Sequence, residues 1–136
     1  MKIIQVTGRS NTGKTTFIKS LVPVLRTKGR VAVIKHLADH EFLLEQGKAT
    51  TGFFTAGAEI SVGIDANKSV VALQNNSLDA MLALLNGQGM DFVIIEGFKE
   101  RSFKKIVIGD LQIEGCIFKN QTANDVVASI GRFDTY

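Results

Sequence analysis

The sequence has few of the residues that cross-link or brace a chain: one cysteine, one proline, one tyrosine and no tryptophan among 136 residues. A lone cysteine, Cys116, excludes an internal disulfide. Because Cys116 lies in an apolar run typical of a strand, we expect its thiol to be buried. No apolar run approaches the roughly 20 residues that span a bilayer, and the first residues lack a signal-peptide pattern. These absences predict a cytoplasmic protein that does not enter a membrane.

Charge is also modest. Charged residues make up 21% of the chain, hydrophobic residues 45%, and the net charge is +3. This composition is typical of a soluble globular protein, and the length predicts one domain over residues 1–136. Basic residues cluster locally only at 99–105. A solvated surface is one interpretation of that cluster, and a small polyanion such as a nucleotide explains it as well as RNA does. We therefore predict no nucleic-acid partner.

Apolar runs alternate with segments of helical spacing along the chain. Strands are predicted over 2–6, 31–35, 60–64, 69–73, 91–97, 106–108 and 113–118, and helices over 14–28, 77–85 and 122–130. Pro23 lies inside the first helix and should kink it or lower its stability. Residues 37–58 have no clean period, so we expect a long, partly irregular and functional connection there. The alternation predicts a three-layer α/β fold with a mostly parallel central sheet.

Residues 8–15 match the phosphate-binding pattern G-x-x-x-x-G-K-[ST], between a predicted strand and a predicted helix. Glycines let backbone N–H groups curl around phosphates, and the helix N-terminus adds unpaired donors. Lys14 is placed to reach the β- and γ-phosphates, the Thr15 hydroxyl to bind Mg²⁺ and Thr16 to contact the α-phosphate. The motif predicts the P-loop NTPase fold and a bound purine nucleoside triphosphate. The expected nucleotide-binding residues are Gly8, Ser10, Asn11, Thr12, Gly13, Lys14, Thr15 and Thr16.

An acid, Glu96, ends the apolar run 92–95. At that position of a P-loop fold a carboxylate reaches the Mg²⁺ shell, directly or through a water. The sequence therefore predicts Thr15 and Glu96 as metal residues and Lys14 and Glu96 as catalytic residues. The alternative is a structural carboxylate at a strand end. The guanine-reading motif N-K-x-D is absent, since Lys119-Asn120-Gln121 does not match it, so the motifs leave the base open.

Two histidines, His36 and His40, follow the second predicted strand. They lack the intervening Glu of a helical H-E-x-x-H zinc site. A contact to a ligand or partner and a plain structural role are both better interpretations than a metal site. Asp39 lies between them and could orient a Mg²⁺-bound water.

Beyond the P-loop, four further segments occur in an order that resembles one family. They are Ile34-Lys35-His36, Gly47-Lys48, Ala56-Gly57-Ala58 and Glu96-Gly97-Phe98-Lys99. The chain resembles the MobB family, the molybdopterin-guanine dinucleotide biosynthesis protein B. The resemblance implies a GTP-binding, weakly hydrolysing homodimer. It also implies a partner, the guanylyltransferase MobA, which attaches GMP to molybdopterin. Gly13, Lys14 and Thr15 would serve phosphate and Mg²⁺, and Glu96 would be the Walker B acid.

The chain departs from the family at residues 49–55, which carry no charge where the family has an acid followed by basic residues. Two other functions are considered. A small metabolite kinase needs a lid with arginines, but the arginines outside the P-loop are Arg26, Arg30, Arg101 and Arg132, none within 37–58. A nucleotide-regulated metallochaperone needs a thiol-rich or histidine-rich site, which one cysteine and two histidines do not favour.

Overall fold

The computed structural model describes residues 1–37 and 40–136. Two compact units emerge, one holding the residues up to 37 and from 82 onward, the other residues 40–81. A single domain over residues 1–136 stays a prediction. No helix in the described chain has the length and apolar character needed to cross a membrane.

The first unit is built on a six-stranded sheet in the order β2-β5-β1-β6-β7, with β8 beside the start of β1. Its strands are β1 (Lys2–Thr7), β2 (Val31–Lys35), β5 (Phe92–Glu96), β6 (Lys105–Val107), β7 (Cys116–Lys119) and β8 (Asp134–Thr135). All neighbours along the main path run parallel, and only the β1–β8 pair is antiparallel. The predicted mostly parallel sheet is therefore confirmed. The two-residue strand β8 was not predicted, because so short a segment shows no periodicity.

Helices α1 (Lys14–Arg26) and α4 (Ala123–Ala128) belong to this unit, and a 3₁₀ turn at Ile130–Arg132 follows α4. The division between the two units falls within α3 (Leu78–Gly87). Helix α1 continues through Pro23. Its Ile18, Leu21 and Leu25 are buried at helical spacing in one core cluster with strand residues such as Ile4 and Ile94. Helix α4 begins at a capping box in which Thr122 and Asp125 exchange hydrogen bonds.

The second unit contains helix α2 (Ala49–Thr55) and the antiparallel hairpin of β3 (Ile60–Ile64) and β4 (Ser69–Leu73). The strands predicted over 60–64 and 69–73 are confirmed. In the turn between them, the Asp65 carboxylate accepts hydrogen bonds from Asn67 N and Lys68 N. Within the connection over 37–58, predicted to be partly irregular, residues 49–55 form a helix that the sequence did not predict. Gly52 and the uncharged composition conceal the helix in the sequence. The helix is instead held by contacts with the neighbouring hairpin, where the buried Ser61 hydroxyl donates to the Thr50 carbonyl at 2.8 Å.

The expectation of a buried Cys116 is also wrong, because the residue is exposed. Strand β7 starts at Cys116 rather than at Ile113 and ends the main path of the sheet. The thiol donates to the Phe118 carbonyl at 3.3 Å. An apolar run on the last strand of a sheet has a neighbour on one side only, so its composition overstates its burial.

Candidate functional site

The predicted phosphate-binding loop joins β1 to α1. A side chain at Gly8 would place its Cβ 2.3 Å from the Ile108 carbonyl oxygen, so only glycine fits there. Gly13 has φ +90° and directly precedes the first residue of α1, a left-handed conformation that glycine adopts without strain. The Thr12 hydroxyl donates to the Arg9 carbonyl at 2.9 Å. The loop is thus closed on itself between strand and helix.

The first turn of α1 is open to an anion. Its N-cap, Gly13, makes no side-chain capping bond, and the turn contains no acidic residue. The leading N–H groups of such a helix have no intrahelical acceptor, and they carry the positive end of the helix dipole. Lys14 adds a cation here, and its Nζ donates to the Arg9 carbonyl at 2.6 Å. Charge and donors are therefore concentrated at the point where the motif predicts phosphates.

Glu96 lies beside this loop at the carboxyl end of β5. Strand register pairs it with Val6 of β1 on one side and with Lys35 of β2 on the other. The Thr15 hydroxyl is 3.3 Å and 3.4 Å from the two Glu96 carboxylate oxygens, and Lys35 Nζ is 3.7 Å from one of them. Glu96 is buried, with 9% of its surface exposed. A buried carboxylate is thereby held between a hydroxyl and an ammonium group.

A cleft of about 390 Å³ opens at this edge of the sheet. Its lining residues are Gly8, Ser10, Lys14, His36, Glu96, Gly97, Phe98, Lys99 and Glu100. Four of the predicted nucleotide-binding, metal and catalytic residues, Gly8, Ser10, Lys14 and Glu96, meet in this lining. The others, Asn11, Thr12, Gly13, Thr15 and Thr16, lie in the loop or the first turn of α1 but outside the lining.

His36 and Phe98 form part of the cleft wall. Their rings are stacked, with centroids 4.1 Å apart and planes inclined by 14°. The His36 amide donates to the Glu96 carbonyl at 2.9 Å, and Phe98 has φ +48°, which is uncommon for a residue with a side chain. The sequence predicted no role for Phe98, Lys35 or Gln5. One signal was available: Gln5 is a polar residue within a continuous apolar strand.

The other histidine, His40, is exposed and belongs to the second unit. Asp39 lies outside the described residues. Within the described parts of the chain, no group of three or more His, Cys, Asp or Glu side chains could hold a metal ion on its own.

The basic run at 99–105 is divided between two environments. Lys99 lines the cleft, whereas Lys105 is 2% exposed and its Nζ donates to the carbonyls of Arg101 and Phe103 at 2.5 Å and 3.0 Å. Burial lowers the pKa of Lys105, and the acidic groups of Glu114, Asp134 and Glu100 oppose that shift. Lys105 therefore holds the backbone of its own loop and is not part of a solvated face.

A glycine-bounded loop between the first strand of a parallel sheet and the following helix, with an acid ending the adjacent strand, defines the P-loop NTPase fold. Comparison with solved structures agrees. The crystal structure of Bacillus subtilis MobB covers 100% of both chains at 21% identity with a TM-score of 0.71. The MobB homolog from Bacillus stearothermophilus covers 96% of this chain and 94% of its own, at 22% identity with a TM-score of 0.60. The predicted α/β P-loop fold is confirmed.

The family model described as molybdopterin guanine dinucleotide synthesis protein B matches residues 3–131, so the chain belongs to the MobB family. Relatives named molybdopterin-guanine dinucleotide biosynthesis adapter proteins are found in several organisms. The one from Methanocaldococcus jannaschii is 36% identical over 100 residues, which are 74% of this chain and 42% of that protein. The one from Haemophilus influenzae is 32% identical over 112 residues, or 78% and 62% of the two chains. The match spans only part of these relatives: 42% of the Methanocaldococcus jannaschii protein and 64% of a relative from Bacillus subtilis.

Proposed function

We propose that this chain is a GTP-binding accessory protein with weak GTPase activity. In this role it assists a MobA-like guanylyltransferase in converting molybdopterin to molybdopterin guanine dinucleotide. One observation carries the proposal: an open P-loop with its Thr15–Glu96 pair occurs in a chain matched to MobB over residues 3–131. The adapter names of its relatives support a role beside the pathway enzyme.

The loop fits a triphosphate. The Gly8 position admits no side chain, the N-terminus of α1 is uncapped by any side chain, and Lys14 supplies a cation. Lys14 would exchange its bond to the Arg9 carbonyl for a charge-assisted bond to a phosphate oxygen. Gly8, Ser10, Asn11, Thr12, Gly13, Lys14, Thr15 and Thr16 are the proposed nucleotide-binding residues.

The residues beside the loop also fit Mg²⁺. This ion is usually held by one or two carboxylates, a hydroxyl and the phosphates of the substrate. The Glu96 carboxylate and the Thr15 hydroxyl lie together as such donors. Bound Mg²⁺ neutralises charge on the phosphates. Lys14 would hold the phosphate chain, and Glu96 would orient the ion or a water attached to it.

Slow hydrolysis is proposed because no arginine is among the lining residues in the described part of the cleft. A partner would have to supply such a group. We further propose a homodimer that acts in the cytoplasm. GTP is preferred over ATP in this proposal because the relatives' names refer to guanine. The chain has no N-K-x-D motif, so its own motifs do not choose between the two bases.

A reconstituted reaction tests the proposal. Molybdopterin, GTP, Mg²⁺ and a matching guanylyltransferase are incubated with this protein, without it, with Lys14→Ala, or with Lys28→Ala as the exposed-lysine control. A further arm contains this protein but omits the transferase. Chromatography measures the dinucleotide formed. We expect a higher yield with the wild-type protein and with Lys28→Ala, no gain with Lys14→Ala, and no product without the transferase. Equal yields in every arm that contains the transferase would overturn the role.

A further inference from the structure

Gln5 is a polar side chain at the centre of a buried strand. Its neighbours along β1, Ile4 and Val6, are fully buried, and Gln5 itself is 0% exposed. An amide in such a place is costly unless it is hydrogen-bonded, and an aliphatic residue would fill the same space without that cost. The role of Gln5 therefore depends on the groups to which its amide is hydrogen-bonded.

Those partners are two successive carbonyls of the turn that follows Glu96. Gln5 Nε2 donates to the Gly97 oxygen at 2.7 Å and to the Phe98 oxygen at 2.5 Å. Both residues are left-handed, with φ +98° and +48°. A Cβ on Gly97 would lie 2.8 Å from His36 Cβ, so the turn is also packed tightly against His36. Gln5 thus satisfies the two carbonyls of a conformation that is uncommon for a non-glycine residue such as Phe98.

The turn to which Gln5 is hydrogen-bonded forms one wall of the cleft. Gly97 and Phe98 line the cleft with His36, and Phe98 is stacked on that histidine at 4.1 Å. The same cleft contains Lys14 and Glu96, the groups assigned above to the outer phosphates and Mg²⁺. Gln5 is fully buried and is not among the lining residues, so it can act on the cleft only through the turn.

We propose that Gln5 is a positioning residue. It holds the Gly97–Phe98 turn against His36 and keeps this wall in the form that accepts the terminal phosphate of a nucleoside triphosphate. We call the two hydrogen bonds from Gln5 to the Gly97 and Phe98 carbonyls the clamp. The role of the wall in phosphate binding rests on the proposed function, whereas the clamp itself does not. Loss of the clamp therefore affects triphosphate binding more than diphosphate binding, because a diphosphate retains its contacts with the loop and the first turn of α1.

The first experiment measures the clamp without nucleotide. The chain has two histidines and no tryptophan, so the imidazole protons of His36 and His40 can be followed by NMR. Because the Phe98 ring is stacked on His36, we expect its ring current to shift the His36 signals in the wild type. We expect Gln5→Met, which keeps the shape but donates no hydrogen bond, to move His36 toward its position in Phe98→Ala. The His40 signals should be unchanged in Gln5→Met. The His36 signals should be unchanged in Gln112→Met, the control at an exposed glutamine. An unmoved His36 in Gln5→Met overturns the clamp.

The second experiment measures GTP and GDP affinity with Mg²⁺ by calorimetry. Gln5→Met should weaken GTP binding by about tenfold, equivalent to about 1.4 kcal/mol, with a much smaller change for GDP. An equal loss of affinity for GTP and GDP, or no loss for either, would overturn the proposed role of the wall in binding the terminal phosphate. A wild-type protein that binds neither nucleotide refutes the proposed function instead, and the NMR result still stands. Phe98→Ala tests the same wall without altering the core if Gln5→Met does not fold, and intact GTP binding in that variant counts against the proposal.

Discussion

The Thr15 hydroxyl lies 3.3 Å and 3.4 Å from the two carboxylate oxygens of Glu96, although the two residues are 81 positions apart in the chain. Thr15 lies in the first turn of α1 and Glu96 is the last residue of β5. The contact exists because β1 and β5 are parallel neighbours whose carboxyl ends meet. The pair joins the phosphate-binding loop to the buried acid. The proposed Mg²⁺ site depends on it.

Lys14→Ala should weaken GTP binding by about a hundredfold or more, because it removes a charge-assisted contact to phosphate. The fold should survive, since the Lys14 ammonium donates to a loop carbonyl rather than to a group of the core. Calorimetric titration beside a thermal melt measures both effects, with Lys28→Ala as the matched control. Unchanged affinity in Lys14→Ala would refute the assignment of the site.

Glu96→Gln should reduce Mg²⁺-dependent hydrolysis more than nucleotide binding. The amide keeps the shape of the carboxylate but loses the charge that attracts the cation and orients its water. Phosphate release is measured with Mg²⁺, and GTP affinity is measured with and without the ion. A wild-type rate of hydrolysis in Glu96→Gln would show that this carboxylate is structural.

Lys35→Met should strengthen Mg²⁺ binding to the GTP complex. Lys35 Nζ is 3.7 Å from Glu96 Oε1, so its charge opposes a divalent cation at the same carboxylate. Half of the Lys35 side chain is exposed, so we expect a gain of only a few-fold that shrinks as salt is added. Titration of Mg²⁺ at two ionic strengths measures this gain, and Lys28→Met is the control. Weaker Mg²⁺ binding in Lys35→Met would mean that the lysine supports the site.

Intrinsic GTP hydrolysis should be slow, about 10⁻² s⁻¹ or less, as in P-loop proteins that lack an arginine finger. No arginine is among the lining residues in the described part of the cleft. A single-turnover assay on the isolated protein gives the rate. A rate constant of several per second would instead favour a metabolite kinase or a self-sufficient NTPase.

Lys105→Met should lower the free energy of unfolding by about 1–3 kcal/mol, because the Arg101 and Phe103 carbonyls lose their donor. Burial lowers the pKa of Lys105 in the folded protein. Between that lowered pKa and the ordinary value of about 10.4, the unfolded chain binds more protons than the folded one, so stability rises with pH. The stability gap between wild type and variant should therefore widen as pH rises through this window and narrow as pH falls through the folded pKa. Denaturant unfolding at several pH values measures the gap. A gap independent of pH would show that burial does not perturb Lys105.

Much of the fold could be predicted because its signals are local. The spacing of Gly8, Gly13 and Lys14 identifies a phosphate-binding loop, and the apolar run 92–95 ending in Glu96 identifies a buried strand with an acid at its end. Helix α2 could not be predicted, since Gly52 and an uncharged composition give no amphipathic pattern over residues 49–55. Cys116 and Lys105 were misjudged for a related reason. Composition reports the average burial of a residue type and not the position of its strand in the sheet.

The sequence by itself determined the class of this protein, because a loop motif between a strand and a helix needs no distant partner to be recognised. Tertiary structure alone decided which side chains meet. The order β2-β5-β1-β6-β7 places Lys35, Glu96 and Gln5 on three adjacent strands. It also brings the turn after Glu96 within reach of the Gln5 amide. Those contacts join residues far apart in the chain, and periodicity along a single segment contains no information about which strands become neighbours.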